Sequence, residues 1–134
     1  MSILYERQAS GSVDEVGQRF EDAVKAHKFG VLGMFDLKQK MREKGVEFER
    51  DCRIYEICNP QQAKRVLERN MSVSAALPCR VSVFQDGDAV KLSTILPTRM
   101  LGMFDTPDLQ GVAEEVEQAI KAMIDEAAGP GAQG

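Results

Sequence analysis

The sequence has no tryptophan, one histidine among its 134 residues, and only 6% aromatic side chains. A single histidine excludes a multi-histidine metal centre, and so few rings leave little on which bases could stack. Positive charge is short as well: 17 Lys and Arg against 21 Asp and Glu give a formal net charge of -4. Nucleic acid is therefore not an expected partner, because binding it takes a cationic surface that displaces counterions from phosphates. No apolar run approaches the roughly 20 residues that span a bilayer, so no membrane partner is expected. The three cysteines form no Cys-x-x-Cys pair, which removes the usual spacing of a structural zinc site. Met1 to Glu6 turns charged at once and lacks the apolar core of a secretory signal, so a reducing cytoplasm with free thiols is the expectation. Phosphate-binding loops, dinucleotide fingerprints, nucleophile elbows and catalytic triads are all missing, and the balance leans away from an enzyme of any standard class.

What is present reads as one domain, residues 1–128, followed by a Gly/Pro/Ala/Gln tail at 129–134 whose composition predicts disorder. Ile3 to Tyr5 reads as a short first strand. Ser12 and Glu15 form a capping box ahead of a helix whose Val13, Val16, Phe20 and Val24 share one face. Phe29 to Phe35 is a second strand, and Asp36 can cap a short basic helix that Gly45 stops. Arg50 to Cys58 is a third strand. Asn59 and Pro60 then open a helix with Ala63, Val66 and Leu67 as its buried stripe. Cys79 to Gln85 and Ala89 to Leu96 flank an Asp86-Gly87 turn signal and read as a hairpin. Pro97 to Thr106 reads as a loop, and Val112, Val116, Ile120, Met123 and Ile124 mark a long closing helix. The expected fold is α+β, a two-layer sandwich with a mixed or antiparallel sheet and helices on one face.

The pentapeptide Leu-Gly-Met-Phe-Asp occurs twice, at 32–36 and at 101–105. Two similar strand-to-helix junctions are the plain explanation. The sharper one is that both copies line a single apolar pocket, through Met34 and Met103 in particular, or that the fold is an ancient half-repeat.

Cys58 at the end of one strand and Cys79 at the start of another are the leading candidates for chemistry, because sheet proteins build sites at strand ends. A thiolate can serve as nucleophile, sulfur carrier, redox centre or soft-metal ligand. An uncharged cysteine behaves instead as a small buried hydrophobe. Glu56 shares a strand face with Ile54 and Cys58. With Ile54 turned to the core, Glu56 is a partly buried carboxylate able to move protons to sulfur; with Tyr55 and Ile57 turned inward it is an ordinary solvated side chain. That strand is apolar on both faces, so its periodicity leaves both arrangements open. Asn59, and Arg80 as an anion-stabilising cation, complete the candidate site. A copper(I) site built from Cys58, Cys79, Met100 and Met103 is the minor alternative. His27, and the basic stretch Lys38, Lys40, Arg42 and Lys44, read as solvated surface.

The strings Glu56-Ile57-Cys58-Asn59-Pro60 and Leu77-Pro78-Cys79-Arg80-Val81-Ser82-Val83, the hairpin after them and the amphipathic closing helix resemble the DUF302 family of small prokaryotic domains. The similarity runs from about Tyr5 to about Ala127. It implies a compact α+β fold of the TATA-binding-protein-like kind and a tendency to homodimerise, marks Glu56, Cys58, Asn59, Pro60, Pro78, Cys79 and Arg80, and implies no particular reaction or cofactor. Three functions follow as expectations. The first is a cytoplasmic homodimer that binds a small ligand or soft metal near Cys58 and Cys79. The second is a sulfur-transfer or redox protein in which one of those thiols is the nucleophile. The third is a structural or partner-binding domain in which the cysteines only pack.

Overall fold

The structure is a computed structural model that describes residues 2–129; the expected tail at 129–134 lies, apart from Gly129, outside the described residues. Five strands, β1 (Leu4–Ala9), β2 (Gly30–Asp36), β3 (Cys52–Cys58), β4 (Cys79–Asp86) and β5 (Ala89–Ile95), form one sheet in the order β1-β5-β4-β3-β2. Every pairing is antiparallel, which settles the choice between a mixed and an antiparallel sheet.

Local chemistry sets the element boundaries. Ser12 and Glu15 make the reciprocal capping box that starts α1 (Val13–Ala26). The Asp36 carboxylate accepts from the Gln39 amide and starts α2 (Leu37–Glu43). Asn59 Oδ1 accepts from the Gln61 and Gln62 amides at 3.0 and 3.1 Å and starts α3 (Pro60–Arg69). The β4–β5 hairpin turns on Gly87 and Asp88, with Gly87 at φ 64°, a conformation open to glycine without strain.

Side-chain alternation then divides the sheet into two faces. Tyr55 and Ile57 on β3, Val81 and Val83 on β4, and Leu92 on β5 point one way and are fully buried beneath α1 and α5 (Gln110–Ala128). Each such side chain contributes roughly 1.5–3 kcal/mol by leaving water. The other face carries Cys52, Ile54, Glu56, Ser82, Phe84 and Ile95, and among the described residues only Ser93 is buried there. The fold is thus the two-layer α+β arrangement with helices on one face.

Three expectations need correction. The first strand runs to Ala9, well beyond Tyr5. Arg7 conceals the continuation, since it is a charged residue on the helix-facing side whose guanidinium reaches Asp125 on α5 at 2.9 Å. The supposed loop from Pro97 contains a short helix, α4 (Pro97–Leu101), and a 3-10 turn occupies Met71–Ala76. Both are too short to show a periodic pattern. The pentapeptide copies are also not equivalent junctions: the first is an edge strand leading into α2, and the second begins at the last residue of α4 and continues into a turn.

Candidate functional site

The C-terminal end of β3 and the N-terminal end of β4 lie side by side, with Ile57 paired to Cys79. Immediately beyond Cys58 the chain turns into α3. Immediately before Cys79 it passes through the 3-10 turn and a cis Leu77–Pro78 bond. These two departures leave room between the strand ends, α3, α4 and α5, and the room is an apolar cavity of about 300 Å³.

Each element supplies part of the wall. On α3, Gln62, Ala63, Val66 and Leu67 face the cavity; their spacing places them along one side of a helix. Met100 and Leu101 come from α4 and Val116 from α5. The edge strand contributes Leu32, because pairing with β3 slips between Val31 and Gly33 and leaves Leu32 as the extra residue of a bulge. Cys58, Asn59 and Cys79 all line the same space, so the two strand-end thiols meet at one cavity.

Burial in these apolar surroundings pushes the Cys79 thiol up to about 11, with the neighbouring Cys58 adding to the shift. Burial raises Cys58 as well. Both sulfurs are therefore held as neutral thiols at physiological pH, the opposite of the electropositive setting that activates a nucleophilic cysteine.

Gln62 is a half-buried polar group of the wall. Its amide lies near the Glu115 carboxylate and favours its charged form, and Arg65 grips that carboxylate through two bonds of 3.0 and 3.2 Å. Gln62 Oε1 is buried without a hydrogen-bond partner. A second cavity of about 240 Å³ adjoins the first, shares Leu77, Pro78, Cys79 and Met100 with it, and adds Arg80, Thr94 and Ile95.

The remaining candidates separate. Tyr55 and Ile57 face the core, so Glu56 lies on the other side of the sheet from the helices. There it accepts a hydrogen bond of 3.2 Å from Arg80 Nε across the strand pair. Glu56 does not line the thiol cavity, and Arg80 lines only the second one. Met34 and Met103 line neither and are exposed. Met34 is paired with Tyr55 in the middle of β2, away from the strand end that borders the cavity, and Met103 sits in the turn after α4. Of the four residues considered for copper, Cys58, Cys79 and Met100 share the cavity and Met103 does not. Among the described residues no group of three or more His, Cys, Asp and Glu is placed to hold a metal ion. No helix among them is long and apolar enough to cross a membrane.

Phe29, Leu32, Gln62, Leu77, Leu101 and Val116 line the cavity without having been singled out as site residues. The signal for Leu32 and Leu101 was present, since each opens one copy of the repeated pentapeptide. The leucines, not the methionines, are the shared contribution to one pocket.

Comparison with known proteins places this architecture. The model of a domain of unknown function, DUF302, matches residues 5–127. A crystal structure of an uncharacterised conserved DUF302 protein from Bacillus stearothermophilus superposes with a TM-score of 0.90 at 35% sequence identity, covering 95% of this chain and 99% of that one. No curated protein matches the chain. The chain belongs to the DUF302 family.

Proposed function

We propose that this DUF302 protein is a binding module for a small apolar ligand, held in the cavity between the Cys58 and Cys79 strand ends and helices α3 and α4. The observation that carries the reading is the cavity itself. It has the size and apolar lining of a small-molecule site, with a few polar groups, Asn59, Gln62 and the two neutral thiols, set into its wall. Raised thiol pKa values weigh against nucleophilic sulfur chemistry: with Cys79 near 11, only about one molecule in 10,000 carries that thiolate at neutral pH. They also weigh against a soft cation, since a metal would have to displace the thiol protons.

The homodimer belongs to the same reading. The uncovered sheet face presents Phe35, Ile54 and Phe84, an apolar surface of the kind that subunit contacts cover. A second copy laid on Phe35, Ile54 and Phe84 across a two-fold axis would leave the thiol cavity of each chain on the outer, helical side.

Titration with a neutral apolar fluorophore, N-phenyl-1-naphthylamine, tests the ligand site. Saturable enhancement at one site per chain is expected, and Ala63→Phe should weaken it at least tenfold by filling the cavity. Absence of saturable binding by a folded protein would overturn the reading. Light scattering of Phe84→Glu, expected to be a monomer, tests the dimer face separately.

A further inference from the structure

The second cavity changes the chemistry available to the first. Leu77, Pro78, Cys79 and Met100 border both cavities, and among them the unbranched methionine is the side chain best able to turn aside. Among the described residues Arg80 is the only charged one on either wall. Its side chain is 64% exposed and spends Nε on Glu56, and its two terminal nitrogens have no partner among the described residues.

We propose that the two cavities together take one amphiphile, its hydrocarbon chain lying between Cys58, Cys79 and α3 and its carboxylate on the free end of the Arg80 guanidinium. The inference rests on the binding-module reading and names the ligand class for that site. A planar guanidinium offers two parallel donors that match a carboxylate. One cation with Glu56 already beside it suits a single negative charge; a phosphate dianion would meet Glu56 with no second cation to balance it. A methylene fills about the same ~30 Å³ as a water molecule. The first cavity, about 300 Å³, thus suits a medium-length chain.

Calorimetric titration with octanoate and with 1-octanol tests the assignment on the full chain. Octanoate is expected to bind at least tenfold more tightly than octanol. Arg80→Gln, a change at an exposed position, should erase that preference while octanol affinity stays the same. Glu56→Gln should tighten octanoate severalfold by removing the adjacent negative charge. Equal affinity for the two ligands, or a preference that survives Arg80→Gln, overturns the carboxylate site and leaves the apolar cavity standing. Failure of both ligands to bind, together with failure of the fluorophore, removes the binding-module reading itself.

Discussion

Leu32 and Leu101, the first residues of two identical pentapeptides, line the same cavity from two different elements, the bulged edge strand and the short helix α4. Their surroundings differ sharply: Leu32 is 64% exposed and Leu101 is 4% exposed. Leu101→Ala empties a packed site and should cost about 2–5 kcal/mol. Leu32→Ala removes little buried surface and should stay within about 0.5 kcal/mol of the parent. Both should weaken the apolar fluorophore. Urea unfolding beside the fluorophore titration checks the pair; equal stability losses would show that Leu32 is a core residue and not a wall of the site.

Gly17 on α1 faces the hydroxyl of the fully buried Tyr55. A Cβ at position 17 would overlap Tyr55 Oη. Gly17→Ala should therefore destabilise by about 1–3 kcal/mol, despite the better helix propensity of alanine. Tyr55→Phe removes the obstructing oxygen, along with its interaction with the Arg53 guanidinium. Combining the two changes should recover most of the loss. A double-mutant cycle in urea measures this coupling, and simple additivity would refute the steric account.

The contrast between these residues shows what the amino-acid sequence makes readable. Helix starts were legible because capping is local: Ser12 with Glu15, Asp36, and Asn59 with Pro60 each carry their own signal. The β4–β5 hairpin was legible through Asp86-Gly87 for the same reason. The inward face of β3 was not, since Ile54 and Cys58 are as apolar as Tyr55 and Ile57, and only the position of α1 and α5 decides between them. The same choice moves Glu56 away from the thiols and onto Arg80. Cys58, Asn59 and Cys79 drew attention at strand ends and do come together, whereas Met34 and Met103 do not join them. Placing Leu32 on the wall depends on a bulge, which is a matter of strand pairing that no local pattern announces.

Cys79 should make stability depend on alkaline pH. Its thiol is raised from 9.0 to about 11 by burial, with Cys58 as the smaller cause. The folded state therefore holds this proton more tightly than the unfolded chain. The contribution is fully present below pH 9, declines as the unfolded thiol ionises, and is lost by the time pH has risen through about 11. Two pK units correspond to roughly 2–3 kcal/mol. Wild type and Cys79→Ala, unfolded in urea at pH 8 and pH 10.5, should differ less at the higher pH. Parallel pH profiles for the two proteins would mean that the thiol is not held protonated.

Glu117 caps a helix that has no cap of its own. The N-terminal residue flanking α4, Leu96, makes no side-chain capping bond, and the Glu117 carboxylate from α5 accepts instead from Thr98 N at 3.0 Å and Thr98 Oγ1 at 2.7 Å. Partial burial works to raise this carboxyl, but the bonds from Thr98 and the nearby Lys121 outweigh it and hold the group below its usual value. Its stabilisation is thus present above the ordinary carboxylate pKa and is lost as pH falls through the lowered one. Hydrogen bonds to a charged group contribute about 1.5–3 kcal/mol, so Glu117→Ala should lose stability on that order at pH 7 and progressively less as pH falls through the lowered carboxyl value. Because α4 carries Met100 and Leu101 into the cavity wall, the same change should speed amide exchange across residues 97–102 and weaken the fluorophore, while α1 keeps its protection. Hydrogen exchange followed by mass spectrometry reads both regions in one sample. Uniform loss of protection in α1 and α4 alike would assign Glu117 to global stability rather than to holding the cavity wall in place.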